Sequence, residues 1–240
     1  MQEKTRKKIL EINAEFYQTF ALQFSETRMR IQPGVRRVLE SVAKRARLLD
    51  VGCGNGEAAY TLAASGFEGS YIGIDLTDAL LEVARSRLAG YPNFAFLQGD
   101  LTRNDWDLQV ADKTFEMIFA FAVLHHIPDA SLRRGVISRI RGFLHPGGRF
   151  IHSNWQFVNS ERLRKRIQPW SRVAVANDDL DPGDYLLDWR HGGKGLRYVH
   201  LFGEEELIAL AHDTGFTVIE SFYSDGEGGN LGLYQVWEAV

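Results

Sequence analysis

Asp50, Gly52, Gly54 and Gly56 stand in the run Arg-Leu-Leu-Asp-Val-Gly-Cys-Gly-Asn-Gly at residues 47 to 56. Glycines at alternate positions remove Cβ atoms, so a ligand can lie directly on the backbone, and the amides opening the next helix can face its polar part. The spacing G-x-G-x-G is tighter than the dinucleotide pattern G-x-G-x-x-G. With Asp50 ahead of it, the loop suits a nucleoside whose tail is an amino acid rather than a pyrophosphate. A second carboxylate, Asp75, with Leu76 beside it, stands about twenty residues past the loop, where it can accept bonds from two ribose hydroxyls. Asp75 alone does not separate this ligand from a dinucleotide. A third carboxylate, Asp100, is followed by Leu101, and the pair His125-His126 comes later.

These residues sit at the ends of apolar runs that read as strands. Leu48–Val51 precedes the glycines, Gly69–Ile74 ends in Asp75, Asn93–Leu97 precedes Asp100, and Phe115–Phe121 runs into Ala122 and the histidines. A helix is expected over Ala130–Leu144 with Asp129 as its N-cap. His145-Pro146-Gly147-Gly148 then turns into a fifth strand, Arg149–Ser153. A sixth strand over 215–222 and a seventh over Leu231–Ala239 flank a Gly-rich connection. Strands alternating with helical segments predict an α/β fold, doubly wound around a mostly parallel seven-stranded sheet with a reversed last strand. At 240 residues and 45% hydrophobic content the chain can bury one substantial core.

Asp50, the three glycines, Asp75 and Asp100 together resemble the class I S-adenosylmethionine-dependent methyltransferases, whose first motif has the form D-V-G-x-G-x-G. The resemblance implies a Rossmann-like methyltransferase fold and S-adenosyl-L-methionine as cofactor. It implies that Asp100 receives the adenine amine while Leu101 packs on the ring. It also implies that Phe121, Ala122 and the first side chains of Leu124-His125-His126-Ile127-Pro128-Asp129 line the methionine end. No metal is expected, because adjacent histidine side chains tend to point apart and no cluster with metal spacing accompanies them.

Two flanking segments are similar to the tRNA wobble-uridine methyltransferases, which esterify 5-carboxymethyluridine: Phe24-Ser25-Glu26-Thr27-Arg28, with Tyr17 ahead of it, and Arg197-Tyr198-Val199-His200-Leu201-Phe202, followed by Glu205, Glu206 and Leu207. That resemblance makes Arg28, His126, Arg197 and His200 the candidate catalytic residues. An arginine would orient an acceptor carboxylate bidentately, or hold the cofactor's own carboxylate, and a histidine would make an acceptor nucleophilic. An anionic acceptor needs no strong base, so proximity, orientation and water exclusion carry such a reaction. The place after the fourth strand reads Phe119-Ala120-Phe121-Ala122 rather than the N-P-P-Y-type turn of enzymes that methylate base amino groups. The single thiol, Cys53, lies in the cofactor loop, where it does not suit carbon-5 methylation.

The expected organisation is one domain over 1–240: amino-terminal lid helices at 1–45, a cofactor-binding core at 46–154, a substrate-cap insert at 155–202 and a final helix with hairpin strands at 203–240. Ile9, Ile12, Phe16, Phe20 and Phe24 predict an apolar stripe on the lid helix. Trp155, Trp170, Tyr185 and Trp189 offer rings on which a base could stack, or else form a small cap core. Net charge is −3, yet Arg28, Arg30, Arg36, Arg37, Lys44, Arg45 and Arg47 cluster against one acid, Glu40. Arg162, Arg164, Lys165, Arg166 and Arg172 form a second basic run. Each run is either a phosphate-binding surface or a solvated helix face.

No stretch approaches about 18 apolar residues, so no membrane is expected as partner. One cysteine and no signal-like amino terminus point to a reducing, cytoplasmic setting. The acceptor is read as a carboxymethyl group on a tRNA wobble uridine, with a small acid, amine or hydroxyl metabolite as the alternative. A cofactor-binding subunit that acts with a small partner protein stays open as a third reading.

Overall fold

The computed structural model describes residues 1–26, 30–110 and 114–240. Arg28 of the F-S-E-T-R segment lies outside the described residues. The chain opens with helix α1 (Glu3–Glu26), which bends at Phe20, where φ is −112° and ψ is 17°. Helix α2 (Pro33–Glu40) has proline in its first turn, where a missing N–H costs nothing. Then come β1 (Arg47–Val51), α3 (Glu57–Ala64), β2 (Ser70–Asp75), α4 (Asp78–Arg87), β3 (Phe94–Gln98) and β4 (Phe115–Phe121). Helix α5 (Ala130–Gly142) starts at Asp129, whose carboxylate accepts from the Ser131 and Leu132 amides. β5 (Leu144–Trp155) follows.

The strands order as β3-β2-β1-β4-β5 and close with β10 (Gly232–Ala239) and β9 (Phe216–Ser224). β1 to β5 pair in parallel, while β10 runs antiparallel to both β5 and β9. This is a seven-stranded Rossmann-like sheet with a reversed last strand. Its two faces bury separate apolar clusters. One joins Ile118, Phe150 and Trp237 to Ile137 of α5 and Leu207 of α7 (Glu204–Asp213); the other joins Leu48 and Phe119 to Leu62 of α3 and Leu81 of α4. The fifth strand starts five residues before its expected position. The His145-Pro146-Gly147-Gly148 turn lies within it, and the register with β4 shifts between Phe115 and Met117.

The insert between β5 and α7 holds helix α6 (Glu161–Arg164) and a second sheet of three antiparallel strands, β6 (Ile167–Gln168), β7 (Asp184–Trp189) and β8 (Gly195–His200). The apolar stripe of α1 faces this small sheet rather than the cofactor core. Ile9 and Ile12 pack with Trp170, Leu186 and Tyr198, while Phe16 and Phe20 pack with Trp189. Two aromatic rings of the insert, Trp170 and Trp189, are buried in the core under α1, while Trp155 and Tyr185 each contact Phe157 in a separate apolar cluster.

Candidate functional site

β1 ends at Val51 and the chain must turn sharply to launch α3. Gly52 makes this turn with φ of +77°, and a Cβ there would lie 2.3 Å from Val123 Cγ2. The glycine is thus needed both for its backbone angle and for the close approach of the segment after β4. Ala122 in that facing segment has a left-handed φ of 57°, a strained value that the Ser153 carbonyl and hydroxyl hold by accepting from the Ala122 amide, each at 3.0 Å. Two tight turns at adjacent strand ends meet across the switch point of the sheet, where ligands of doubly wound folds bind.

The loop amides do not simply face outward. Gly52 and Cys53 both donate to the Ile74 carbonyl, and Gly54 donates to Asp75 Oδ2 at 2.8 Å. Asp75 Oδ1 accepts from the Thr77 amide at 2.9 Å. Burial pushes the Asp75 carboxyl up, against the lowering effect of those amide bonds. Asp50 is buried and accepts from Tyr71 Oη at 2.5 Å. Burial raises its carboxyl to about 7, with the Tyr71 bond opposing and the nearby Asp75 charge adding to the shift.

These groups border a cavity of about 810 Å³. Asp50, Gly52, Gly54, Asp75 and Leu76 line it from the first two strand ends, Asp100 and Leu101 from the third, and Phe121, Ala122 and His126 from the fourth. Gly56 is not in the wall. A Cβ there would lie 2.8 Å from Ala84 Cβ, so this glycine lets α3 approach α4. Leu76 is 39% exposed, unusual for a leucine beside a buried carboxylate and suited to covering a flat apolar ring. Asp100 Oδ1 accepts from the Thr102 amide and hydroxyl, so one oxygen caps the turn and Oδ2 takes neither bond. An amino-acid-tailed nucleoside fits this donor set: a rim carboxylate for the ribose, an exposed leucine for the base and a buried anion beneath the loop for a cationic tail.

The helix expected as a lid contributes to the cavity wall. Lys7, Leu10, Ala14 and Tyr17 of α1 line it, at the three-to-four spacing that places them on one helix face. Asn13 pins that face: its Nδ2 donates to the His126 carbonyl at 3.0 Å, and its Oδ1 accepts from the Tyr198 amide at 2.8 Å. Tyr17 Oη lies 2.7 Å from His126 Nε2, whose other ring nitrogen, Nδ1, lies 3.1 Å from the Tyr198 carbonyl oxygen. His125, by contrast, is buried and accepts at Nδ1 from the Trp155 amide.

Arg197 and His200 are not among the residues lining the cavity. The Arg197 guanidinium carbon lies 4.5 Å from the Trp155 ring centroid, 5.4 Å from Phe16 and 5.6 Å from Trp189, an aromatic box that joins the cap to α1. His200 is buried between Asp184 Oδ1, 2.7 Å from Nδ1, and Glu206, 2.9 Å from Nε2. Burial lowers its pKa, but the two carboxylate bonds outweigh that and the imidazole titrates above its ordinary value. Tyr198 Oη donates to the same Asp184 oxygen, and Arg133 reaches Asp181 and the Ile127 carbonyl. The R-Y-V-H segment thus builds a clamp among β7, β8, α5 and α7. The basic runs are countered in part: Arg37 pairs with Glu220, Arg45 with Glu68, Arg47 with Glu116 and Lys165 with Glu161.

A family model described as a methyltransferase domain matches residues 43–194. The chain belongs to the class I S-adenosylmethionine-dependent methyltransferases. S-adenosyl-L-methionine is its cofactor, and the strand-end groups Asp50, Gly52, Gly54, Asp75 and Asp100 border a cavity that could hold it. A protein of Encephalitozoon cuniculi that carries a methyltransferase name is 31% identical over 206 residues, covering 85% of this methyltransferase and 87% of that protein. An O-methyltransferase of Aspergillus nomiae is 30% identical over 194 residues, covering 75% of this chain and 68% of the relative. A human protein named as tRNA methyltransferase 9B matches at 25% identity over 67% of this chain, but the match spans only 33% of that protein's length. Among solved structures, a SAM-dependent methyltransferase of Methanosarcina mazei shares the fold with a TM-score of 0.65 at 20% identity, covering 88% of this chain and 98% of that one.

Proposed function

We propose that this methyltransferase acts on an oxygen or nitrogen of a small acceptor held between α1 and the turn after β4. The observation that carries the reading is the shared wall: residues of α1 line the same cavity as the glycine loop, which gives an acceptor a walled site beside the cofactor. Enclosure excludes water and fixes the acceptor in line with the transferred methyl, which is most of what displacement at a sulfonium requires. Acidic partners on Arg37, Arg45 and Arg47 support a small acceptor over a phosphate backbone at the first basic run, because paired arginines release fewer counterions. The O-methyltransferase relative agrees with it. A reducing cytoplasmic setting suits the single buried cysteine.

The second reading, esterification of a carboxymethyl group on a tRNA wobble uridine, draws support from the F-S-E-T-R and R-Y-V-H-L-F segments and from the tRNA methyltransferase 9B relatives. A cofactor-binding subunit dependent on a small partner protein is the third. Transfer of labelled methyl from S-adenosylmethionine into small-metabolite and tRNA fractions of cells lacking this gene separates them. Label in the metabolite fraction is expected. Label in tRNA that alkali releases as methanol replaces the small acceptor with the wobble uridine, and cofactor binding without transfer to either fraction favours the partner-dependent subunit.

A further inference from the structure

His126 directs an oriented lone pair at Tyr17, and both residues line the cavity. A carbonyl oxygen only accepts, so His126 Nδ1, 3.1 Å from the Tyr198 carbonyl, must carry the ring proton. Nε2 is then the acceptor, and Tyr17 Oη donates to it at 2.7 Å. The pairing is held from two sides: Asn13, one helical turn before Tyr17, bonds the His126 carbonyl, while β8 supplies the carbonyl that fixes the tautomer. The rings meet edge to face at 5.3 Å and 75°.

An ionised carboxylate would gain nothing from such an arrangement, since it has no proton to give up. We propose that Tyr17 and His126 form a proton relay that makes a hydroxyl-bearing small molecule, an alcohol or phenol, the acceptor of this site. The inference rests on the small-acceptor reading above and narrows it to acceptors that must lose a proton. As the acceptor oxygen's lone pair forms the new bond to the methyl carbon, the carbon–sulfur bond breaks with its electron pair passing to sulfur. The acceptor's proton moves to Tyr17 Oη while the tyrosine's own proton moves to His126 Nε2. The products are a methyl ether, a neutral thioether and an imidazolium, which returns its proton to solvent, so charge and atoms balance.

Two measurements test the relay. In the first, ring-¹⁵N-histidine protein bound to S-adenosylhomocysteine is studied by long-range ¹H–¹⁵N correlation at pH 8. An Nδ1–H tautomer is expected for His126, with an Nε2 resonance that moves in Tyr17→Phe. An Nε2–H tautomer, or no response to Tyr17→Phe, overturns the proposal.

In the second, His126→Asn and Tyr17→Phe are compared with wild type for S-adenosylhomocysteine affinity and for methyl transfer into the small-metabolite extract. Asparagine can still donate to the Tyr198 carbonyl but offers no base at the Nε2 position, and phenylalanine keeps the ring packing. Affinity within a few-fold of wild type with transfer lower by about 100-fold or more supports the relay. Transfer within tenfold of wild type by His126→Asn, or a labelled product that alkali cleaves to methanol, overturns it. If wild type labels neither metabolites nor tRNA, the small-acceptor reading fails, and the tautomer measurement alone decides the relay.

Discussion

Asp75 Oδ2 accepts a hydrogen bond from the Gly54 amide at 2.8 Å, so the carboxylate at the end of the second strand also tethers the loop that follows the first. Asp75→Ala removes the tether together with the ribose acceptor. Cofactor affinity is expected to fall by about 2 to 4 kcal/mol, the range for a buried, charged hydrogen-bonding group. Calorimetric titration with S-adenosylhomocysteine measures it, and unchanged affinity excludes Asp75 from the ribose site.

Gly56 separates stability from binding. With φ of +73° and Ala84 Cβ 2.8 Å from a built Cβ, Gly56→Ala should cost about 1 to 3 kcal/mol of folding stability. Because Gly56 lies outside the cavity wall, the affinity of the folded fraction for cofactor should stay within about threefold, on the same loss-to-fold-change scale. Denaturant unfolding and calorimetry on one preparation check both halves.

Asp50 makes cofactor binding proton-linked. Its carboxyl is raised from 3.8 to about 7 in the folded protein, so the cofactor-free fold binds a proton that the unfolded chain has lost. That contribution to stability is fully present below pH 3.8 and declines as pH rises to about 7. A cationic ligand beside Asp50 favours the ionised form, so S-adenosylmethionine binding near pH 6 should release protons. Calorimetry in buffers of different ionisation enthalpy reads the release, and Asp50→Asn should abolish it. Equal heats in all buffers for the wild type would count against the assignment.

His200 acts in a higher pH range. Its pKa is raised by Asp184 and Glu206 against the opposing effects of burial and the neighbouring Arg133. The stabilisation is full below the ordinary histidine value and lost as pH rises through the raised one. The denaturant midpoint is therefore expected to fall on going from pH 6 to the alkaline side. His200→Gln should be less stable at pH 6 and lack that fall. A wild-type midpoint independent of pH above neutrality, with Asp50→Asn as background, refutes the imidazolium clamp.

The core of the fold and most of the cofactor wall were legible because each signal is local. Asp50, Gly52 and Asp75 sit at strand ends where chain direction and apolar run length fix their position. The function of Gly56 was misplaced, since loop spacing carries no information about Ala84 on the next helix but one. His200 and Arg197 read as chemistry because histidine and arginine in a motif look alike whether they face a cavity or a buried partner; Asp184, sixteen residues before His200, decides it. Tyr17 stands out only as the residue ahead of the F-S-E-T-R segment, and that position gives it no role. Its role depends on which face of α1 turns to the cap, and that was set by aromatic packing from residues 170 to 198.

Asn13 bonds Tyr198 across 185 residues of chain. During synthesis the helix bearing Asn13 leaves the ribosome 185 residues ahead of its anchor. The strand ends that border the cofactor, residues 50 to 126, emerge in between. The nascent chain can therefore assemble a floor before it owns a ceiling, and a helix made ahead of that floor finds its place after it.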